Sequence, residues 1–237
     1  MNKKTIRKLA GIITLLIIAA GGWFANESGF ADSFFTQQVS SVSSESIPEY
    51  EGKLYAEVNN NTPDFTETDR ELLSTPGYEY YSALDSLGRA GAAEACVGEE
   101  TIPEGERESI GMIKPSGWHT VKYEFVDGKY LYNRCHLLGW QLTGENANEE
   151  NLITGTRQFN VEGMLPFENE VAEYIKETGN HVSMRVTPVY EGSDLLASGV
   201  LMEAQSVEDS GLMFSVFVFN VEDGVAIDYS NGDSYAE

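Results

Sequence analysis

Beyond Gly179 four runs dominate the chain, HVSMRVTPVY, LLASGVLMEAQSV, LMFSVFVFNV and VAIDY, each alternating or rich in β-branched and aromatic residues. Turn-forming clusters separate them, Glu191-Gly192-Ser193-Asp194 and Glu208-Asp209-Ser210-Gly211. Successive side chains of a strand leave opposite faces, so runs of this kind are stable only in a sheet with at least one face covered. They predict an antiparallel sheet. Before them, PFENEVAEYIKETGN carries Phe167, Val171, Tyr174 and Ile175 at helical spacing, with Pro166 near the start and Gly179 as the stop. Helices in the middle and strands clustered after them make the fold class α+β.

Upstream of the helix, HTVKYEFVDGKYLYNRC reads as two β-rich runs, Thr120 to Val126 and Lys129 to Arg134, joined by the two-residue hairpin signal Asp127-Gly128. ENANEENLITGTRQFN then reads as a polar loop around a short apolar piece, giving the order hairpin, loop, helix. Earlier still, Thr66 and Thr68 ahead of Leu72 and Leu73 mark a helix start, followed by a Pro-Gly break and the apolar positions Tyr80, Leu84 and Leu87. The folded domain is expected to cover residues 63–237. Residues 31–62, with SSVSSESIPEYEG, are polar and Ser-rich and are expected to be a disordered spacer.

The first 30 residues have a different character. Lys3, Lys4, Arg7 and Lys8 precede a mainly apolar stretch, Leu9 to Ala25, which is the charge-then-hydrophobe pattern of an export signal. The stretch is long for a cleaved signal and short for a spanning helix, so a cleaved leader and a membrane anchor through residues 9–25 both remain open. Either form puts the rest of the chain outside the cell, secreted or on the outer face of the membrane. Of the two cysteines, Cys96 and Cys135, no bridge is expected, because a domain of this size does not need one.

YNRCH, Tyr132 to His136, sets an arginine, a cysteine and a histidine side by side. Neighbours on a strand point to opposite faces, so Cys135 and His136 do not form a nucleophile and base pair, and Cys135 is better read as a small buried hydrophobe. Three scattered histidines and two cysteines lack zinc spacing. His119 and His181 have no company and default to hydrogen-bonded or solvent-facing imidazoles. His136 is followed by Asn151, Arg157, Asn160 and Glu168, a set of amides, a cation and a carboxylate that suits phosphodiester cleavage. An imidazole takes a proton from water near neutrality, an amide oxygen helps hold a hard divalent cation, and arginine grips phosphate. Taken singly, Asn160 also reads as a helix cap, Arg134 and Arg157 as surface cations, and Glu168 as a helix-start charge.

Order and spacing favour the first set. NRCH, Asn133 to His136, resembles the Asp-Arg-Gly-His motif of the DNA/RNA non-specific endonucleases with the ββα-metal fold. NLITGTRQFN, Asn151 to Asn160, resembles that family's segment before the metal-carrying helix. The likeness is to exported nucleases of Gram-positive bacteria and covers roughly residues 81–190. It implies a ββα-metal core on an antiparallel sheet, with His136 as general base and Asn160 as the sole protein ligand of Mg²⁺, Mn²⁺ being able to substitute. It further implies that Asn151 supports substrate and active-site geometry, that Glu168 reaches the metal through water, and that Arg134 is the motif arginine. Arg157 and, on a weaker match, Arg89 are candidate phosphate contacts. Asn133 and Cys135 depart from the motif's Asp and Gly, and Gly permits backbone conformations that Cys does not.

A formal charge of −23 argues against polyanion binding, yet Ile110 to Asn160 is neutral, with Lys114, Lys122, Lys129, Arg134 and Arg157 against Glu124, Asp127, Glu145, Glu149 and Glu150. The expectation is an exported Mg²⁺-dependent endonuclease acting on DNA, with RNA as a further candidate and no protein partner. The alternative is an extracellular binding domain that has kept the scaffold and lost catalysis.

Overall fold

The computed structural model describes residues 47–237. The expected leader and the first half of the expected spacer lie outside these residues, and among the described residues no helix is long and apolar enough to cross a membrane. The strands are β1 Tyr55–Glu57, β2 Glu79–Tyr81, β3 Ala93–Val97, β4 Tyr132–His136, β5 Leu152–Thr156, β6 Val182–Val189, β7 Gly199–Ser206, β8 Met213–Phe219, β9 Val225–Ile227 and β10 Ser234–Ala236. The helices are α1 Glu67–Leu72, α2 Trp140–Thr143 and α3 Leu165–Thr178. Six strands form one antiparallel sheet in the order β1-β8-β7-β6-β3-β2, so the class is α+β as expected. The run at Val225 instead pairs with β10 as a separate two-stranded sheet.

One face of the large sheet is apolar at every second residue: Val182, Met184 and Val186 of β6, Val200, Met202 and Ala204 of β7, Phe214, Val216 and Val218 of β8. Val171 and Ile175 of α3 and Leu137, Leu138 and Leu142 close over it. α3 begins with Pro in its first turn and ends at Gly179, whose φ of 71° needs no Cβ. On the opposite face Arg185 pairs with Glu203 at 2.8 Å and Asp69 at 3.1 Å, tying α1 to β6 and β7. Thr66 caps α1 reciprocally with Asp69, the helix-start signal read from the sequence.

Two local expectations change. β1 lies inside the stretch assigned to the spacer and pairs with β8, because Ala56, Val58 and Ile47 supply the apolar cover for Val189, Leu201, Phe217 and Phe219. The Asp127-Gly128 turn does form, with Gly128 and Lys129 both at positive φ. Its arms, however, share only the Lys122↔Tyr130 bridge and a few backbone bonds. Val121 and Trp118 leave for a small cluster with Leu131, Leu196 and Val225. The partner of β4 is β5, in the register Tyr132↔Thr156 to His136↔Leu152. The two strands of the ββα unit are therefore β4 and β5, and the apolar piece of the expected loop is a strand. Asn220, fully buried after β8, accepts from Thr156 N at 2.9 Å and donates to Thr154 O at 3.2 Å, which pins β5 to the main sheet.

Candidate active site

β4 sorts the motif residues by its two-residue period. Cys135 points into the core, where its thiol is fully buried and burial pushes its pKa far up. A Cβ on Gly155 of the neighbouring strand would lie 2.7 Å from Cys135 Sγ and 2.5 Å from the Phe159 ring, so a glycine on β5 makes room for the cysteine on β4. Cys135 is not among the residues at positive φ, so this position uses no glycine-only conformation. Arg134 and His136 share the opposite face.

His136 is buried, and its Nε2 lies 2.8 Å from the carbonyl oxygen of Asn146. A carbonyl only accepts, so Nε2 carries the proton and Nδ1 keeps a lone pair. That lone pair faces Nη2 of Arg107 at 3.1 Å. Burial lowers the imidazole pKa, the Asn146 bond partly opposes this, and the Arg107 charge lowers it further. Asn146 also donates from Nδ2 to Glu108 O at 3.2 Å, so one residue fixes both the imidazole and the loop that carries Arg107.

Arg134 holds the far end of that loop. Its Nη2 donates to Gly111 O at 2.8 Å, its Nε to Ile113 O, and its guanidinium stacks 3.9 Å from the Trp118 ring. Two of its three nitrogens are thus committed to backbone. Asn151 is fully buried, accepting from Leu138 N at 2.9 Å and donating to Leu138 O at 3.0 Å. Both polar atoms therefore clamp the backbone two residues after His136, and its contribution is through geometry. Asn151→Ala would leave two buried backbone groups unpaired, at about 1–3 kcal/mol each. Urea unfolding should show that loss as a lower midpoint with an unchanged m-value.

Asn160 sits in a π-helical turn, Phe159–Met164, that runs directly into α3; its carbonyl accepts from Leu165 N. Eight residues of plain α-helix overshoot two turns by about 80°, at about 100° per residue. The extra residue of the π-turn cancels most of that excess, so Asn160 and Glu168 leave the same side of the helix. Glu168 is buried against Gly139, where a Cβ would lie 2.6 Å from its Oε2. Among the described residues its carboxylate has no hydrogen bond or ion pair. Burial pushes its pKa up to about 7, against the opposing charge of Arg107. The Asn160 side chain likewise has no hydrogen bond among the described residues. A buried carboxylate without a donor beside a free amide is an oxygen set that fits a hard divalent cation.

Two expected phosphate contacts are engaged elsewhere. Arg89 pairs with Asp85 at 2.7 Å, donates to Gly192 O and Asp194 O, and lies 4.6 Å from the Tyr190 ring, so it braces the loops at that end of the sheet. Arg157 donates to Asp127 Oδ2 from Nε at 3.0 Å and Nη2 at 2.9 Å, in a solvent-exposed ion pair. The cation beside His136 is Arg107, which the sequence reading did not single out. Its only signal is that it is the sole basic residue between Arg89 and Lys114.

A family model described as DNA/RNA non-specific endonuclease matches residues 69–208. A deoxyribonuclease of Streptococcus dysgalactiae subsp. equisimilis is 35% identical over 113 residues, 46% of this chain and 34% of its own length, so this chain spans about a third of that relative. Among solved structures, NucA from Streptococcus agalactiae with magnesium bound is similar in fold, with a TM-score of 0.66 at 22% identity over 76% of this chain and 87% of that one. The Sda1 nuclease with bound zinc has a TM-score of 0.59 at 31% identity, over 67% of this chain and 81% of its own. With the β4, β5 and α3 unit seated on its antiparallel sheet, and the family model covering more than half its length, this chain belongs to the DNA/RNA non-specific endonuclease family.

Proposed function

We propose that the chain is an exported, Mg²⁺-dependent endonuclease that hydrolyses DNA, and RNA as a further substrate, with His136 as general base. The observation that carries this reading is the imidazole itself: Asn146 holds the proton on Nε2, so Nδ1 presents a lone pair on the face of β4 shared with Arg134. In the reaction Nδ1 takes a proton from water, the water oxygen bonds to phosphorus, the bond from phosphorus to the 3′-oxygen breaks, and that oxygen takes a proton from solvent. The products then carry a 5′-phosphate and a 3′-hydroxyl. Asn160 and Glu168 would hold the cation, directly and through water respectively. When bound, Mg²⁺ neutralises charge developing on the phosphate and on the departing oxygen. Asn151 keeps the backbone after His136 in place, and Arg134 holds the adjoining loop while keeping Nη1 for phosphate.

The basic-then-apolar pattern of residues 1–30 supports export, and one protein of similar fold is an extracellular endonuclease. Asn133 and Cys135, which depart from the motif, are the residues that favour the alternative of an inactive binding scaffold. Because Gly155 makes room for Cys135 and Asn146 fixes the His136 imidazole, the catalytic reading is favoured.

The test is digestion of supercoiled plasmid by the purified protein with Mg²⁺, with EDTA, and with neither. Cutting should require Mg²⁺ and stop with EDTA. Apparent Mg²⁺ affinity should weaken as pH falls through about 7, because Glu168 takes up a proton there and the neutral acid is a poorer acceptor for water on the cation. Cutting that persists in EDTA contradicts the metal dependence. DNA binding without cleavage in Mg²⁺, Mn²⁺ or Ca²⁺ returns the inactive scaffold.

A further inference from the structure

The base of the proposed reaction is capped. Nδ1 of His136 has one lone pair, and Nη2 of Arg107 occupies its direction at 3.1 Å. Guanidinium groups only donate, so this contact uses the same electrons that would take the proton from water. We infer that Arg107 is a latch on His136: it covers Nδ1 in the free enzyme and swings to a phosphate adjoining the scissile one when a polynucleotide binds. The inference rests on the reading of His136 as base.

Three observations support the movement. First, the Arg107 guanidinium makes no direct ion pair or hydrogen bond with a carboxylate among the described residues, Glu168 feeling its charge without contact, whereas Arg89, Arg157 and Arg185 are each paired with one. Its sole hydrogen bond there is to a neutral imidazole. In that bond only the donor is ionised, whereas a guanidinium and a phosphodiester are both charged and can pair through two parallel bonds, so a phosphodiester competes well for it. Second, the loop backbone is tied on the far side of Arg107 by Asn146 to Glu108 O and by Arg134 to Gly111 O and Ile113 O. The guanidinium can therefore change partner by rotating its own side chain while the loop stays. Third, the attacking water must sit between Nδ1 and phosphorus, so a guanidinium left at Nδ1 blocks the line of attack and must find its phosphate further along the strand. In a strongly acidic protein such a latch couples water activation to the arrival of a polyanion.

The proposal separates two substrates by the sign of one variant's effect. Thymidine 5′-p-nitrophenyl phosphate has a single phosphodiester and no neighbouring phosphate to draw the latch away. Arg107→Ala should cleave it about threefold or more faster than the native protein, and should cleave plasmid about tenfold or more slower. Without nucleic acid or metal, diethyl pyrocarbonate should modify His136 faster in Arg107→Ala than in the native protein, with His119 as the internal reference. Arg107→Gln, which cannot carry the charge, should follow Arg107→Ala on plasmid. A small substrate cleaved at or below the native rate by Arg107→Ala, with unchanged His136 modification, overturns the latch. Plasmid cleavage undiminished in Arg107→Ala overturns the second position. Should His136→Ala retain activity on both substrates, it is the assignment of the base that fails.

Discussion

Asn160→Ala is expected to abolish Mg²⁺-stimulated cleavage at millimolar metal. Besides Glu168, whose proposed contact is through water, no other described side chain is assigned to the cation, so removing the amide takes away the proposed direct ligand. Partial recovery at much higher Mg²⁺ is expected, because Glu168 and its Gly139 cradle stay in place. Isothermal calorimetry on the native protein and the variant measures the loss of affinity directly. The fold should survive, since the Asn160 side chain has no hydrogen bond among the described residues and its carbonyl bond to Leu165 N belongs to the backbone. An unchanged affinity in Asn160→Ala would move the metal to another set of ligands.

The second large effect is on His136. A positioned general base contributes about 10²–10⁴-fold to such a step, and His136→Ala should lose that much in kcat with little change in KM. Its pH dependence has a definite sign. Burial lowers the imidazole pKa, so the free enzyme keeps the base form to lower pH than an ordinary histidine at about 6.5. At saturating Mg²⁺ the acid limb of kcat/KM should therefore fall below about 6.5. The same depression means that the group's contribution to stability is complete above the unfolded value and is lost as pH falls through the folded one. At limiting Mg²⁺ the limb should move upward toward the Glu168 titration at about 7. A limb that ignores metal concentration would contradict the assignment of separate roles.

Much of the scaffold is legible in the sequence because it rests on strong local signals. Pro166 and Gly179 bracket α3, β6 and β7 alternate apolar residues on the core face with mainly polar ones on the other, and β8 is a β-branched and aromatic run. β3 and β5 are hidden for the converse reason. AEACV and LITGT are five residues each, and their small side chains set up no regular alternation of apolar and polar positions. The Asp127-Gly128 signal reports a real turn, but a turn does not determine how far its arms pair. That depends on where Val121 and Trp118 find their core.

The site divides in the same way. His136, Asn160 and Glu168 stand out through order and spacing, and the eight residues from Asn160 to Glu168 acquire their meaning from a π-turn that no residue pattern announces. Cations are the weakest signal, since a lone arginine says nothing of its partner. Asp85, four residues before Arg89, was a visible clue that Arg89 is engaged. Asp127 lies thirty residues from Arg157 and gave none. Arg107 is visible only once Asn146 has brought its loop against the imidazole.

The most direct test of the central claim, that the His136 lone pair activates water for phosphodiester hydrolysis, is the plasmid cleavage rate of the native protein and His136→Ala at saturating Mg²⁺, with equal folding verified by thermal midpoint. The account expects Mg²⁺-dependent cutting by the native protein and a loss of about 10²–10⁴-fold in the variant. Cutting by His136→Ala at the native rate would contradict it.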